Sequence, residues 1–166
     1  MSANRQHADL VGLLDVLLCS DVDFIVVGGA TAILHGGLAM TQDLDIVPRL
    51  ASENVQRMVA GLATIDAEIC EPRTRHLKPT AELFGARGQV HLRTALGPLD
   101  VLGRLHDGRG YEELLSHSEL IGDVRRQTRV VDLETLIEIK TAAGRAKDRI
   151  VLPTLIRLLR ERERDA

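Results

Sequence analysis

Aromatic side chains are nearly missing from this sequence. Phe, Trp and Tyr make up 2% of its 166 residues, with no Trp, a single Tyr (Tyr111) and two Phe (Phe24 and Phe84). Surfaces that read single-stranded nucleic acid stack bases on several exposed rings, so such a platform is excluded. Positive charge is not in excess either: 21 Lys and Arg against 24 Asp and Glu leave a net charge of -3. No stable binding of duplex DNA by a generally basic surface is expected from that balance. Cysteine is confined to Cys19 and Cys70, far apart and outside any CxxC or Cys/His spacing. That rules out a zinc knuckle or a disulfide framework and fits two plain thiols in a reducing compartment. No apolar run is long enough to cross a bilayer, and no apolar segment follows a basic start at the N-terminus. The expected location is therefore the cytoplasm, away from membranes.

What is present is aliphatic. Hydrophobic residues make up 45% of the chain and charged residues 27%, a balance with which one domain of this length buries its own core of Leu, Ile, Val and Ala. No repeat or low-complexity linker interrupts residues 1–166, so a single domain is expected. Leu10, Leu13, Leu14, Leu17 and Leu18 recur at helical spacing over residues 7–19. Phe24-Ile25-Val26-Val27 is a short β-type run ending at Gly28-Gly29, followed by a helical turn or two over residues 30–35 and a stop at Gly36-Gly37. Residues 44–47 form a second β-type run closed by Pro48, and residues 52–65 return to helical periodicity with Ser52 as N-cap.

The middle of the chain alternates short apolar runs with Pro and Gly. Residues 67–70, 81–84, 89–93 and 99–102 are predicted as strands of one sheet. A short helix from Tyr111 to about Ser116, a β-like stretch at 129–131, and a helix capped by Asp132 and running to Ala143 follow. A last helix over residues 148–163 is expected to turn Ile150, Val151, Leu155, Ile156, Leu158 and Leu159 inward and to end in solvated charges from Arg157 to Arg164. The predicted class is α/β (α+β): a mixed β-sheet flanked by helices, with helices at the C-terminus.

The chemistry lies in Asp43-Leu44-Asp45-Ile46. In a strand this alternation sends both carboxylates to one face and both aliphatic side chains to the other. Two like charges roughly 7 Å apart repel unless a cation lies between them, and hard oxygen ligands are what magnesium takes. Asp100, set between aliphatics in Pro98-Leu99-Asp100-Val101, invites the same reading as a third carboxylate. Taken singly, each Asp has a plainer explanation, since the residue often satisfies turn amides at strand ends. Gly28-Gly29 adds a second half, because glycines at a strand-to-helix turn let backbone N–H groups approach a phosphate. Neither GxxxxGK[ST] nor GxGxxG occurs here, which excludes a P-loop or a dinucleotide fingerprint. Lys140, Arg145 and Lys147 would offset phosphate charge if the C-terminal segment folds back toward Asp45. His35 is better explained as a packing histidine than as a ligand.

Val27-Gly28-Gly29-Ala30-Thr31-Ala32, then His35-Gly36, then Thr41-Gln42-Asp43-Leu44-Asp45-Ile46 together resemble the signature of the DNA polymerase beta-like nucleotidyltransferase superfamily. The resemblance is to its small prokaryotic branch related to abortive infection and toxin-antitoxin systems. It implies that Gly28, Gly29 and Thr41 attend an NTP, with Lys140 and Arg145 from the C-terminal segment. It also implies that Asp43, Asp45 and Asp100 bind Mg2+, or Mn2+ in its place, and are the catalytic carboxylates. The implied reaction moves an NMP from an NTP to an acceptor, whether RNA, protein or a small molecule. Ala39 departs from the pattern, standing where many members carry Arg, and the chain is short. Both features favour the alternative that the resemblance also allows, a catalytically silent protein of this fold that binds a partner, such as one half of a toxin-antitoxin pair.

Overall fold

The computed structural model describes residues 7–71, 76–86 and 88–166. Helix α1 (Leu10–Cys19) opens the described chain, its N-cap Asp9 accepting from the Gly12 N–H at 2.9 Å. Strand β1 (Phe24–Val27), helix α2 (Gly29–Leu34), strand β2 (Leu44–Pro48) and helix α3 (Ser52–Ala63) follow. The cap of α3 is Ala51, one residue before the predicted Ser52. Next come β3 (Glu68–Ile69), α4 (Ala81–Ala86), and the hairpin of β4 (Gln89–Thr94) with β5 (Gly97–Leu102). A helical turn, α5 (Tyr111–Leu114), leads through a 3-10 turn into the hairpin of β6 (Ser118–Asp123) and β7 (Arg126–Val131). Helices α6 (Leu133–Ala143) and α7 (Ala146–Asp165) close the chain, separated by Gly144 in a left-handed conformation, φ 61°.

The strands form one seven-stranded mixed sheet in the order β3-β4-β5-β2-β1-β7-β6. β2 runs parallel to β5, and β1 parallel to β7; the other neighbours are antiparallel. Helices cover both faces, and alternation along the strands divides the core between them. Val26, Leu44, Ile46, Leu99 and Val101 pack on one side with Leu13, Leu17, Met58 and Leu62 from α1 and α3. Ile25, Val27, Val47 and Val131 pack on the other with Leu114, Leu133, Leu136 and Leu155. Asp45 sits between Ile46 and Leu44 in sequence, and Asp100 between Leu99 and Val101, so both acids emerge on the second face.

Three expectations are corrected. Residues 81–84 belong to a helix, α4, and not to a strand; Ala, Glu and Leu are strong helix formers, and an apolar run this short carries no readable period. β6 was not expected at all: it is a partly exposed outer strand whose side chains show no clean alternation. In α7 only part of the expected apolar set faces inward. Leu155 is buried, whereas Ile150, Val151 and Ile156 are 77%, 36% and 37% exposed. Asp148 is buried on the same side as Leu155, with Leu158 and Leu159 packed against the core, and Arg162, 44% exposed, reaches His35 and Glu119 from the far end of that side.

Candidate metal and nucleotide site

Gly28 caps α2 with φ 69° and ψ -152°, a backbone region open only to glycine. The reason is steric as well as torsional, since a Cβ on Gly28 would run into the Asp45 carboxylate. A Cβ on Gly29 would lie 3.0 Å from the Thr41 hydroxyl. The glycine pair thus lets the β1–α2 turn sit directly against the β2 entry.

The sheet register does the rest. Asp45 lies opposite Val27 of β1 on one side and opposite Asp100 of β5 on the other. Asp43, two residues before Asp45, joins them, and one carboxylate oxygen from each of the three lies within 4.8 Å of the others. Three acids this close resist simultaneous ionisation. Burial first, then the charges of Asp43 and Asp100 and a hydrogen bond with Asp100, push the Asp45 carboxyl up to about 7, with Lys147 pulling the other way. The set is all oxygen, crowded and electrostatically strained, which is the donor chemistry a hard divalent cation such as Mg2+ relieves. The sequence expectation that these acids reach one point is met by the geometry.

Thr41 stands beside them, its Oγ1 donating to the Asp43 carbonyl at 2.8 Å and lying 3.4 Å from Asp43 Oδ1. Lys140 and Arg145 are committed elsewhere. Lys140 Nζ lies 3.1 Å from Asp148 Oδ1, and Arg145 Nε 2.6 Å from Asp148 Oδ2, with the Asp148 side chain fully enclosed. Burial opposes the charge of Asp148, yet the hydrogen bonds from Arg145 and Lys140 outweigh it and hold the carboxyl below its ordinary value. From the same segment, Lys147 lies near enough for its charge to lower the Asp45 pKa.

His35 is a packing residue with a fully enclosed side chain. Its Nε2 donates to the Val131 carbonyl at 2.9 Å, and its Nδ1 takes a hydrogen bond from Arg162. Arg162 also lies 2.9 Å from Glu119 of β6. The C-terminal charges are therefore not all solvated, and Arg162 anchors α7 to the sheet. Ala39 packs against the second core cluster between Leu38 and Met40, each 93% exposed.

One residue escaped the sequence reading. His91 of β4 lies opposite Asp100 of β5, and its Nδ1 is 2.8 Å from Asp100 Oδ1. The signal was present: a two-residue turn between Thr94 and Gly97 fixes the β4–β5 register, and the alternation of β4 puts His91 on its polar face.

No family profile and no curated protein matches the sequence. Solved structures do match in shape. The lincosamide antibiotic adenylyltransferase LnuA, in its lincomycin-bound form, superimposes with a TM-score of 0.62 at 14% identity, over 92% of this chain and 99% of that one. A candidate nucleotidyltransferase from Thermotoga maritima superimposes with a TM-score of 0.53 at 16% identity, over 89% of this chain and 90% of that one. The fold is that of nucleotidyltransferases.

Proposed function

We propose that the protein is a Mg2+-dependent nucleotidyltransferase, moving an NMP from an NTP to an acceptor hydroxyl. The observation that carries this reading is the convergence of Asp43, Asp45 and Asp100 beside the Gly28-Gly29 turn on a nucleotidyltransferase fold. Asp43, Asp45 and Asp100 would hold the metal, which when bound screens phosphate charge and acidifies the acceptor hydroxyl. Backbone N–H groups at the glycine turn, with Thr41 beside them, receive the triphosphate, and Lys147 offsets its charge. Lys140 and Arg145 act one step back, through the Asp148 contact that shapes the α6–α7 junction next to Lys147. The acceptor oxygen attacks the α-phosphorus, the bond to the bridging oxygen breaks, and pyrophosphate leaves. Asp100 would take the hydroxyl proton.

Chain length no longer weighs against activity. LnuA, matched over nearly its whole length, is an adenylyltransferase for a small antibiotic, and this supports a small-molecule acceptor here over RNA or protein. Ala39 alone still favours the silent, partner-binding reading of the toxin-antitoxin kind. The two are separated by incubating the protein with labelled NTPs, Mg2+ and candidate acceptors. The wild type is expected to transfer label, and Asp45→Asn to lose transfer by roughly a thousandfold or more while keeping its circular dichroism and melting, without metal, no lower than the wild type, since the substitution relieves the like charge around residue 45. Equal transfer by the variant would exclude the mechanism. Absence of both transfer and calorimetric NTP binding in the wild type would favour the silent protein.

A further inference from the structure

We propose that His91 is a positioning residue for Asp100, fixing the rotamer in which that carboxylate serves as a metal ligand. The inference rests on the metal-site reading above and adds a residue to it. His91 and Asp100 face each other across the β4–β5 hairpin, with Nδ1 to Oδ1 at 2.8 Å. A carboxylate only accepts, so Nδ1 is the nitrogen that carries the proton, and the ring is held as a donor toward Asp100. The Asp100 side chain is 13% exposed and that of His91 56%, so the ring closes the outer side of the carboxylate while its other edge remains open to solvent.

The placement matters because Asp100 has neighbours of opposite demands. On the β2 side it meets Asp45, which already crowds it with like charge. On the β4 side it meets a donor. Asp45 holds Asp100 by a hydrogen bond only while Asp45 keeps its proton; in the ionised set that a metal takes, an Asp100 carboxylate without the His91 donor is free to rotate away from Asp45 toward solvent, relieving repulsion and opening the three-oxygen set. With it, one oxygen is pinned toward β4, and the carboxylate plane stays turned to its partners. Donors of this kind behind a ligand carboxylate typically carry a tenfold to hundredfold effect on ion affinity. An ordinary exposed ion pair would carry almost none.

The test compares wild type, His91→Asn and His91→Leu. Asn places an amide N–H close to where Nδ1 lies, whereas Leu keeps bulk and removes the donor. Mn2+ dissociation constants are measured by electron paramagnetic resonance on nucleotide-free protein, alongside melting curves without metal. His91→Leu is expected to weaken Mn2+ binding about tenfold or more and His91→Asn to recover it to within about threefold, with similar metal-free melting for all three. Mn2+ binding by His91→Leu equal to that of the wild type would overturn the role of His91 and leave the metal site standing. Equal weakening in both variants would also overturn it, since the donor would then not be what matters. A wild type that binds no Mn2+ would remove the site itself, and this inference with it.

Discussion

Gly28 and Asp45 define each other. The carboxylate occupies the space that a side chain at residue 28 would need, and the backbone there has a dihedral pair that other residues avoid. Gly28→Ala must therefore either displace Asp45 or move the turn, at a cost of about 1–3 kcal/mol for the backbone conformation alone. Urea unfolding is expected to show a loss of at least about that size, since displacing Asp45 or the turn adds to it. Much of this was legible beforehand, because a glycine pair ending a strand and an Asp-x-Asp alternation carry their geometry in their spacing. Asp100 was legible only as a candidate, since the sequence shows an acid between aliphatics but not which strand lies beside it. His91 went unnoticed because histidine on the polar side of a strand is ordinary until the hairpin register is followed through Gly97.

At the scale of elements, the α6–α7 junction shows where pattern reading stops. The helices themselves were plain from their periodicity and from Asp132, whose side chain accepts from the Thr135 N–H at 2.7 Å. The inward face of α7 was right at Leu155, Leu158 and Leu159 and wrong at Ile150, Val151 and Ile156, because an enclosed acid, Asp148, opens that face, and hydrophobic pattern counts give no weight to it. The rule that buried charges are paired explains how an acid can sit there, with Lys140 and Arg145 closing on it. Asp148→Asn leaves those cations with one neutral acceptor in place of a counter-charge. Because Arg145 is half exposed and can turn to water, the expected destabilisation is about 1–3 kcal/mol, below that of a wholly enclosed pair. Denaturant titration checks this. The same variant should weaken NTP binding if the junction holds Lys147 in place. The strand assigned to residues 81–84 and the absence of β6 failed for a related reason, because segments of six residues take their state from what they pack against.

For the whole molecule, the tie between α7 and the sheet runs through His35. Burial lowers the readiness of its imidazole to take a proton, and Arg162 acts in the same direction, while the Val131 carbonyl, Glu119 and Asp132 oppose them. The net effect holds the native pKa below the ordinary value of about 6.5. Protons then bind the unfolded chain in preference as pH falls through that value, so this contribution to stability is present above it and declines below it. Asp45, whose carboxyl is pushed up to about 7, takes up a native-state proton in the same window and acts with the opposite sign, so the His35 contribution is read in an Asp45→Asn background: there the urea midpoint should drop between pH 7.5 and pH 5.5, and adding His35→Asn should flatten that slope whatever its effect on absolute stability. A slope unchanged by the substitution would assign the pH response to other groups.

The parallel pairing of β1 with β7 joins Val26 to Val130 across about a hundred residues of chain. Until the ribosome has released the later partner, one flank of β1 lacks its hydrogen-bonding neighbour. At 5–20 residues per second that interval lasts roughly 5–20 s. An apolar Phe-Ile-Val-Val edge left bare so long is a template for pairing with another nascent chain. Soluble yield in cells should therefore respond to growth temperature and translation speed more strongly than the equilibrium stability of the finished protein would suggest.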